Sequence, residues 1–450
     1  MPEFLHLQTP DEARSLLLRS FPDPQPAAET IDTTQALGRV TALPVEAPHP
    51  LPSFNRSAMD GYAVYATDTF GASESLPAYL KVVGEISMGA QPGFDIHPGE
   101  AVLIHTGGML PASADAVVML EYTQMVGRGD LHGHPGAGTP FVPRTPAARR
   151  CETASPAPTT NEIEISRAVA EGENVLRVGE DVRQGQVVIP PGTRIRSAEI
   201  GGLMALGMMQ VSVVKRPRVG LISSGDEVVQ PEQTPRPGQV RDINSYTLSA
   251  LVTKSGGEPV LYGILPDDLE TMKQVARRAL EECDLVIITA GSSASARDMT
   301  ADAIRSLGKP GVLVHGVNIR PGKPTILAVC DGKAVIGLPG NPVSALVIAG
   351  LFVVPVIEKL LCLPLYRPRP SLLARLTINV PSQAGREDWV AVKLLLPSLS
   401  RRGAGGEVLA EPIFSKSNLI FSLVAADGLV RIPPDVNGLS AGEIVGVELF

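Results

Sequence analysis

The sequence predicts a multidomain protein of the α/β plus β class. A central three-layer α/β domain with a mostly parallel sheet is flanked by β-rich domains, the last of them a C-terminal β-barrel-like domain. Three observations lead there. The chain has 450 residues, more than the roughly 100–200 that one core usually organises. Apolar runs and helical periods alternate as β-α-β-α from Arg218 to about Ser344. On either side, the pattern reduces to short apolar runs punctuated by the abundant Gly and Pro.

The elements follow in order. Thr9-Pro10-Asp11-Glu12 supplies an N-cap with proline at the first helical position, and Ala13, Leu16 and Leu17 share one face, so a helix is expected over 9–20. From Ile31 to about Val126 short runs such as Ala101–Ile104 and Ala116–Met119 read as strands. Residues 127–160 are rich in Gly, Pro, Thr, Ala and Arg without periodicity and are expected to be a disordered insertion, with His132 and His134 in it solvated rather than metal-bound. Strand character resumes at Glu162–Ile165. Then come a buried strand at Arg218–Ile222, a helix at Tyr246–Lys254, a strand at Val260–Tyr262, a helix at Leu269–Glu282 and a strand at Asp284–Ile288. The most apolar run, Val343 to Ile357, contains Pro355 and falls short of the roughly 18–20 residues that cross a bilayer, so it reads as a buried helix. After Arg369 strand-like segments return, notably Glu443–Leu449. The expected domains are 1–45 with 168–215, an inserted 46–167, an α/β domain at 216–366 and a terminal β domain at 367–450.

Composition narrows the partners. Hydrophobic residues make up 44% and charged residues 19%, values that support a packed core and exclude wholesale disorder. A formal net charge of -8 argues against sequence-independent nucleic-acid binding, which needs clustered cations to displace phosphate counterions. Cys151, Cys283, Cys330 and Cys362 are scattered, with no Cys-x-x-Cys pair, and read as reduced structural thiols. Met1-Pro2-Glu3-Phe4 opens no signal peptide, so no membrane association and a cytoplasmic location are expected.

Ligands of such a sheet bind beyond the carboxyl ends of its strands. The loop Ser223-Ser224-Gly225-Asp226-Glu227 offers hydroxyls and two carboxylates that suit a hydrated Mg²⁺ bridging phosphates, or else an acid-favouring helix start. Thr289 to Asp298 has only small side chains before Arg297, so its N–H groups can approach an anion; a flexible serine-rich loop is the alternative. Arg320-Pro321-Gly322-Lys323-Pro324 places two cations on a stiff turn suited to oxyanions. Gly337 to Ser344 leads from strand to helix through two prolines and Asn341.

At these residues, and above all at Pro52 to Val64 with Ser57-Ala58-Met59-Asp60-Gly61-Tyr62-Ala63 intact, the chain closely resembles the MoeA family. Thr106-Gly107, Arg177, Gly179-Glu180-Asp181, Gly225-Asp226-Glu227, Arg241 to Asn244 and Gly337 to Ser344 match in family order, over nearly the whole chain. The resemblance implies an enzyme of molybdenum cofactor biosynthesis, a molybdopterin molybdenumtransferase. It would insert molybdenum from molybdate into adenylylated molybdopterin with Mg²⁺-dependent release of AMP. It implies an elongated homodimer of four-domain subunits, with a molybdopterin adenylyltransferase and apo-molybdoenzymes as further partners. Carried over by motif, Asp60, Glu227 and Asp298 would be catalytic, and Glu227, Asp267 and Asp298 would hold the metal. Thr106, Arg177, Asp181, Asp242, Ser293 and Arg297 would contact substrate, together with Arg320, Lys323, Pro339, Asn341, Pro342 and Ser417.

Departures from the family lie in the loop Ala290 to Ser295, at Arg320 in place of lysine, and at Gly316, where a lysine is common. Arg297 is expected to supply the missing charge. A divergent paralogue acting as an adenylyltransferase, a tungsten-inserting enzyme or a non-catalytic dimeric scaffold is the alternative, and the retained carboxylates Asp60, Glu227 and Asp298 speak against the scaffold.

Overall fold

The structure, a computed structural model, describes residues 8–25, 27–126, 161–290, 294–364, 370–396 and 407–450, the side chains of 294–297 excepted. Residues 127–160, with His132, His134 and Cys151, lie outside the described residues. The chain divides into two compact units, one of Met1–Pro44 with Ile189–Phe450 and the other of Val45–Val188.

The first unit opens on a helix at Pro10–Ser20. Thr9 accepts from the Glu12 N–H while the Glu12 carboxylate accepts from the Thr9 N–H, a reciprocal cap that satisfies two otherwise orphaned donors. Ala13, Leu17 and Leu18 are buried, and the buried Lys359 ammonium fastens the far end by donating to Leu18 O at 2.7 Å and Phe21 O at 3.1 Å.

The α/β layer holds β1 (Arg218–Ser224), α1 (Asn244–Ser255), β2 (Glu258–Leu265), α2 (Leu269–Glu282), β3 (Leu285–Ala290) and α3 (Ala294–Arg305). It continues through β4 (Pro310–His315), β5 (Ile326–Cys330) and β6 (Lys333–Pro339) to α4 (Pro342–Leu360). Sheet order is β2-β1-β3-β6-β5-β4, parallel except that β5 runs against both neighbours. The two-residue period of a strand explains why β3 is apolar throughout. Leu285 and Ile287 pack with α1 and α4, whereas Val286 and Ile288 pack with α2 and α3.

Helix α4 corrects the expected length of the apolar run. Its 19 residues are long and apolar enough to cross a membrane by length and composition, yet two thirds of the helix is buried within the protein. Pro355 does not end it, because the turn before widens into a π-helix at Ala349–Val353, which gives the ring room beside the preceding carbonyls.

Beyond α4 lie β7 (Ser371–Leu376), β8 (Glu387–Leu395), β9 (Leu409–Pro412), β10 (Gly428–Ile432) and β11 (Ile444–Leu449). They close in the order β8-β9-β7-β11-β10 and back to β8, a five-stranded barrel around Leu376, Val392, Ala410, Val430 and Val447. The short strand Ile319–Arg320 pairs in parallel with Glu387–Asp388, which ties the barrel to the α/β layer.

The second unit is built on a six-stranded sheet ordered Ala116–Met119, Gly61–Val64, Glu100–Ile104, Ala78–Glu85, Glu162–Ile165 and Thr123–Val126. Alternation again divides the core, with Val118 and Ala101 on one face and Val117 and Val102 on the other. Gly61 sits where a Cβ would run into Val118 O, so the residue after Asp60 must be glycine.

Candidate active site

Sheet register gathers the strand ends. Ser224 pairs with Leu265, Ser223 with Thr289 and Ala290 with Pro339, so the loops after β1, β2, β3 and β6 open at one edge. After β1 the chain turns at Gly225, whose φ of 145° favours glycine and whose Cβ would press on Glu227 and Val228. Here a pocket of about 260 Å³ is lined by Ser223, Ser224, Glu227, Asp242, Asn244, Asn341 and Pro342 among others. Asp242 is buried and caps α1 by accepting from the Ser245 N–H at 3.1 Å. Ser224 Oγ and Asn244 Oδ1 are buried without a hydrogen-bond partner among the described residues. Leaving such a group unpaired costs about 1–3 kcal/mol, so both atoms invite a ligand's polar groups.

The acidic residues beside this pocket crowd one another. Asp267 N–H donates to Asp226 Oδ1 at 3.2 Å. Partial burial, followed by the charges of Asp226 and Glu227, pushes the Asp267 carboxyl above the usual carboxylate range. Asp268, not Asp267, caps α2, accepting from the Thr271 N–H at 2.8 Å. Asp298 is exposed on α3. Among the described residues no group of three or more His, Cys, Asp or Glu is arranged to hold a metal. Ser293 and the side chain of Arg297 lie outside the described residues.

A larger cavity of about 650 Å³ lies between the strand ends of the α/β layer and the barrel, and it brings together Arg320, Lys323, Pro339, Asn341 and Ser417. Gly322 turns the chain between the two cations at a φ of 112°, and any Cβ there would collide with Ile348 of α4. Asn341 donates to Ser417 Oγ at 3.0 Å and Val343 N–H to Ser417 O at 3.1 Å, so this serine joins the β6–α4 turn to the barrel. Gly316 has a φ of 95°, a conformation that a lysine would strain to adopt.

Sequence reasoning missed Arg386, Asp388, Trp389 and Lys416 on the cavity wall. Asp388 is 3% exposed, takes the Arg386 fork at 2.7 and 3.0 Å, and lies 3.9 Å from Arg320. Next to it the buried Glu387 accepts the Trp389 indole N–H at 2.7 Å and the Arg431 guanidinium at 2.8 Å, and Arg431 reaches Asp11 at 3.1 Å. The one available signal was Arg386-Glu387-Asp388, a charged run at the start of a mostly apolar strand. Among the described residues Lys323 and Lys416 form no ion pair, so two of the cavity's four cations are uncommitted.

In the second unit, Asp60 Oδ1 accepts from Thr106 N–H at 2.7 Å and from Thr106 Oγ at 3.1 Å. Those bonds, with a smaller contribution from His105, hold its carboxyl below the usual range. Arg177 and Asp181 are exposed in a turn, where Arg177 N–H donates to Glu180 at 2.7 Å and Asp181 N–H to Leu51 O at 3.1 Å.

Comparison with known proteins gives three family matches in chain order. Residues 8–207 match the MoeA N-terminal region (domain I and II), 220–359 a probable molybdopterin binding domain, and 373–450 the MoeA C-terminal region (domain IV). The chain is 34% identical to a putative molybdopterin biosynthesis protein of Methanocaldococcus jannaschii, over 96% of this chain and 95% of that one. It is 30% identical to a molybdopterin molybdenumtransferase of Haemophilus influenzae, over 98% of both chains. Among solved structures it is similar to a molybdopterin biosynthesis MoeA protein from Pyrococcus horikoshii OT3, with a TM-score of 0.78, 30% identity and coverage of 99% and 100%.

Proposed function

We propose a function from one premise: the chain belongs to the MoeA family. It acts in molybdenum cofactor biosynthesis as a molybdopterin molybdenumtransferase, taking adenylylated molybdopterin and molybdate as substrates and releasing AMP. The observation that carries this reading is the pair of pockets sharing Asn341, one cationic and one with unpaired buried polar atoms. A substrate with anionic groups joined to planar heterocycles needs both. Lys323, Lys416 and Arg320 would take oxyanion or phosphate oxygens, and Asn244 Oδ1 would accept a ring N–H while Ser224 Oγ donates or accepts. An acidic protein handling so anionic a ligand needs this local concentration of positive charge.

The crowded carboxylates fit Mg²⁺, which keeps several waters and uses only one or two carboxylates beside substrate phosphates, so no ready three-ligand cage is needed. Glu227 and Asp267 would hold it, with Asp298 carried over by motif, and when bound it would neutralise charge on the pyrophosphate link. A homodimer is part of the same proposal and is read from sedimentation of the purified protein. The activity is tested by AMP release from adenylylated molybdopterin with molybdate present. Lys323→Ala should weaken molybdate binding about tenfold, since hydrogen bonds to charged groups contribute about 1.5–3 kcal/mol in a shielded site. Glu227→Ala should abolish Mg²⁺-dependent release. Wild-type values in both variants would remove the site from these two pockets.

A further inference from the structure

Asp60 has a neighbour that no sequence motif marked. Glu85 ends the strand Ala78–Glu85, His105 follows the strand Glu100–Ile104, and Asp60 precedes the strand Gly61–Val64. Register brings the three together, because Glu85 pairs with Leu103 and Gly61 with Ile104. His105 Nε2 lies 3.0 Å from Glu85 Oε1, and Nδ1 lies 3.7 Å from Asp60 Oδ1, the oxygen that Thr106 also engages. Their side chains are 40%, 57% and 56% exposed for His105, Glu85 and Asp60, so a ligand can reach the chain of groups.

The chemistry of this line depends on one proton. With a neutral ring donating from Nε2 to Glu85, the Nδ1 lone pair faces a carboxylate oxygen, acceptor against acceptor. A second proton turns Nδ1 into a donor and places a cation between two carboxylates. Histidine is the side chain whose charge ordinarily changes between pH 5 and 8.

We propose that His105 is a positioning residue for Asp60: oriented by Glu85, it restrains the Asp60 carboxylate on Thr106 when protonated and releases it when neutral. His105 acts through Asp60 and so rests on the reading of Asp60 as a substrate-handling group. The charged groups within ion-pair distance of its ring, among the described residues, are Asp60 and Glu85. Exposed charge pairs are modest, so the effect should be a change of about two- to fivefold rather than a loss of activity.

The test uses the full-length protein and reads kcat and its pH profile. In AMP-release assays from about pH 5.5 to about 8.5, His105→Gln should lower kcat about two- to fivefold on the acid side and flatten the pH profile. His105→Lys, with a permanent charge, should restore the acid-side rate and carry it to higher pH. Glu85→Gln should reproduce the acid-side loss in the parent and add nothing to it in His105→Gln, since both act through the same ring. An unchanged pH profile in His105→Gln overturns the proposal while leaving an inactive Asp60→Asn in place. A fully active Asp60→Asn overturns the reading of Asp60 itself, and the proposal falls with it.

Discussion

Asp388 is the residue whose place in the cavity is least expected, a buried carboxylate among four cations in a site for anions. Its fork to Arg386 fixes that guanidinium and cancels its charge, so Lys323 and Lys416 are left as the uncommitted cations. Asp388→Asn should therefore act in two directions. Removing one partner of a buried pair costs about 3–5 kcal/mol, and Arg386 being partly exposed puts the expected loss nearer 2–3 kcal/mol, read from urea unfolding. At the same time the freed arginine should tighten molybdate binding severalfold by calorimetry. Weaker binding would mean that Asp388 orients Arg386 for the ligand rather than competing with it. Residues of this kind were not legible in the sequence, because a barrel strand far along the chain supplies Arg386 and Asp388 and no local pattern announces the meeting. Arg320, Lys323 and Asn341 were legible because proline and glycine around them fix their turns locally.

At the scale of elements, what could be read was what local physics decides. Helix Pro10–Ser20 followed from its cap and β3 from an unbroken apolar run, whereas the antiparallel β4–β5–β6 stretch went unread although β5 and β6 form a hairpin whose Asp331-Gly332 turn, with φ of 48° and 82°, is a local signal. The length of α4 was missed because proline usually ends a helix, and only the π-turn ahead of Pro355 lets this one continue. The helix Ser197–Ala205 shows a local device with a pH signature. Glu199, at its third position, accepts from the Arg196 backbone N–H at 2.8 Å and from its guanidinium. The side-chain bond to Arg196 leads in holding the Glu199 carboxyl down at about 2. A depressed carboxyl stabilises the fold above its unfolded value, about 4.3, and that stabilisation disappears as pH falls through about 2. Because Arg196 is largely exposed, solvent screening limits the effect to less than about 1 kcal/mol. Glu199→Gln should lower the melting temperature at pH 7 by a few degrees at most and leave it unchanged at pH 2. An equal loss at both pH values would assign the effect to lost capping geometry rather than to charge.

On the scale of the whole molecule, the division into two units sets what each can do without the other. The unit of Met1–Pro44 with Ile189–Phe450 contains both pockets, the crowded carboxylates and a closed barrel, and its main core packs the N-terminal helix against β4, β5 and α4. The unit Val45–Val188 has its own two-faced core and carries Asp60, Thr106 and His105. Its two ends are held side by side, since Ala47 N–H donates to Gln186 O at 2.9 Å and Gly185 N–H to Ala47 O at 2.8 Å. Neighbouring strands lie about 5 Å apart, so a linker of roughly three or four Gly and Ser residues can replace 47–186 without straining the remaining chain. Loop-closure entropy grows only slowly with length, and shortening the connection should if anything favour the remaining fold. The shortened protein should therefore unfold cooperatively and still bind molybdate in the cationic cavity, with an affinity within about threefold of the parent. It should release no AMP, because the Asp60 cluster is gone. Loss of molybdate binding in a cooperatively folded product would place the anion's essential contacts in the excised unit, whereas release of AMP at the parental rate would show that Asp60 and Thr106 are dispensable for the reaction.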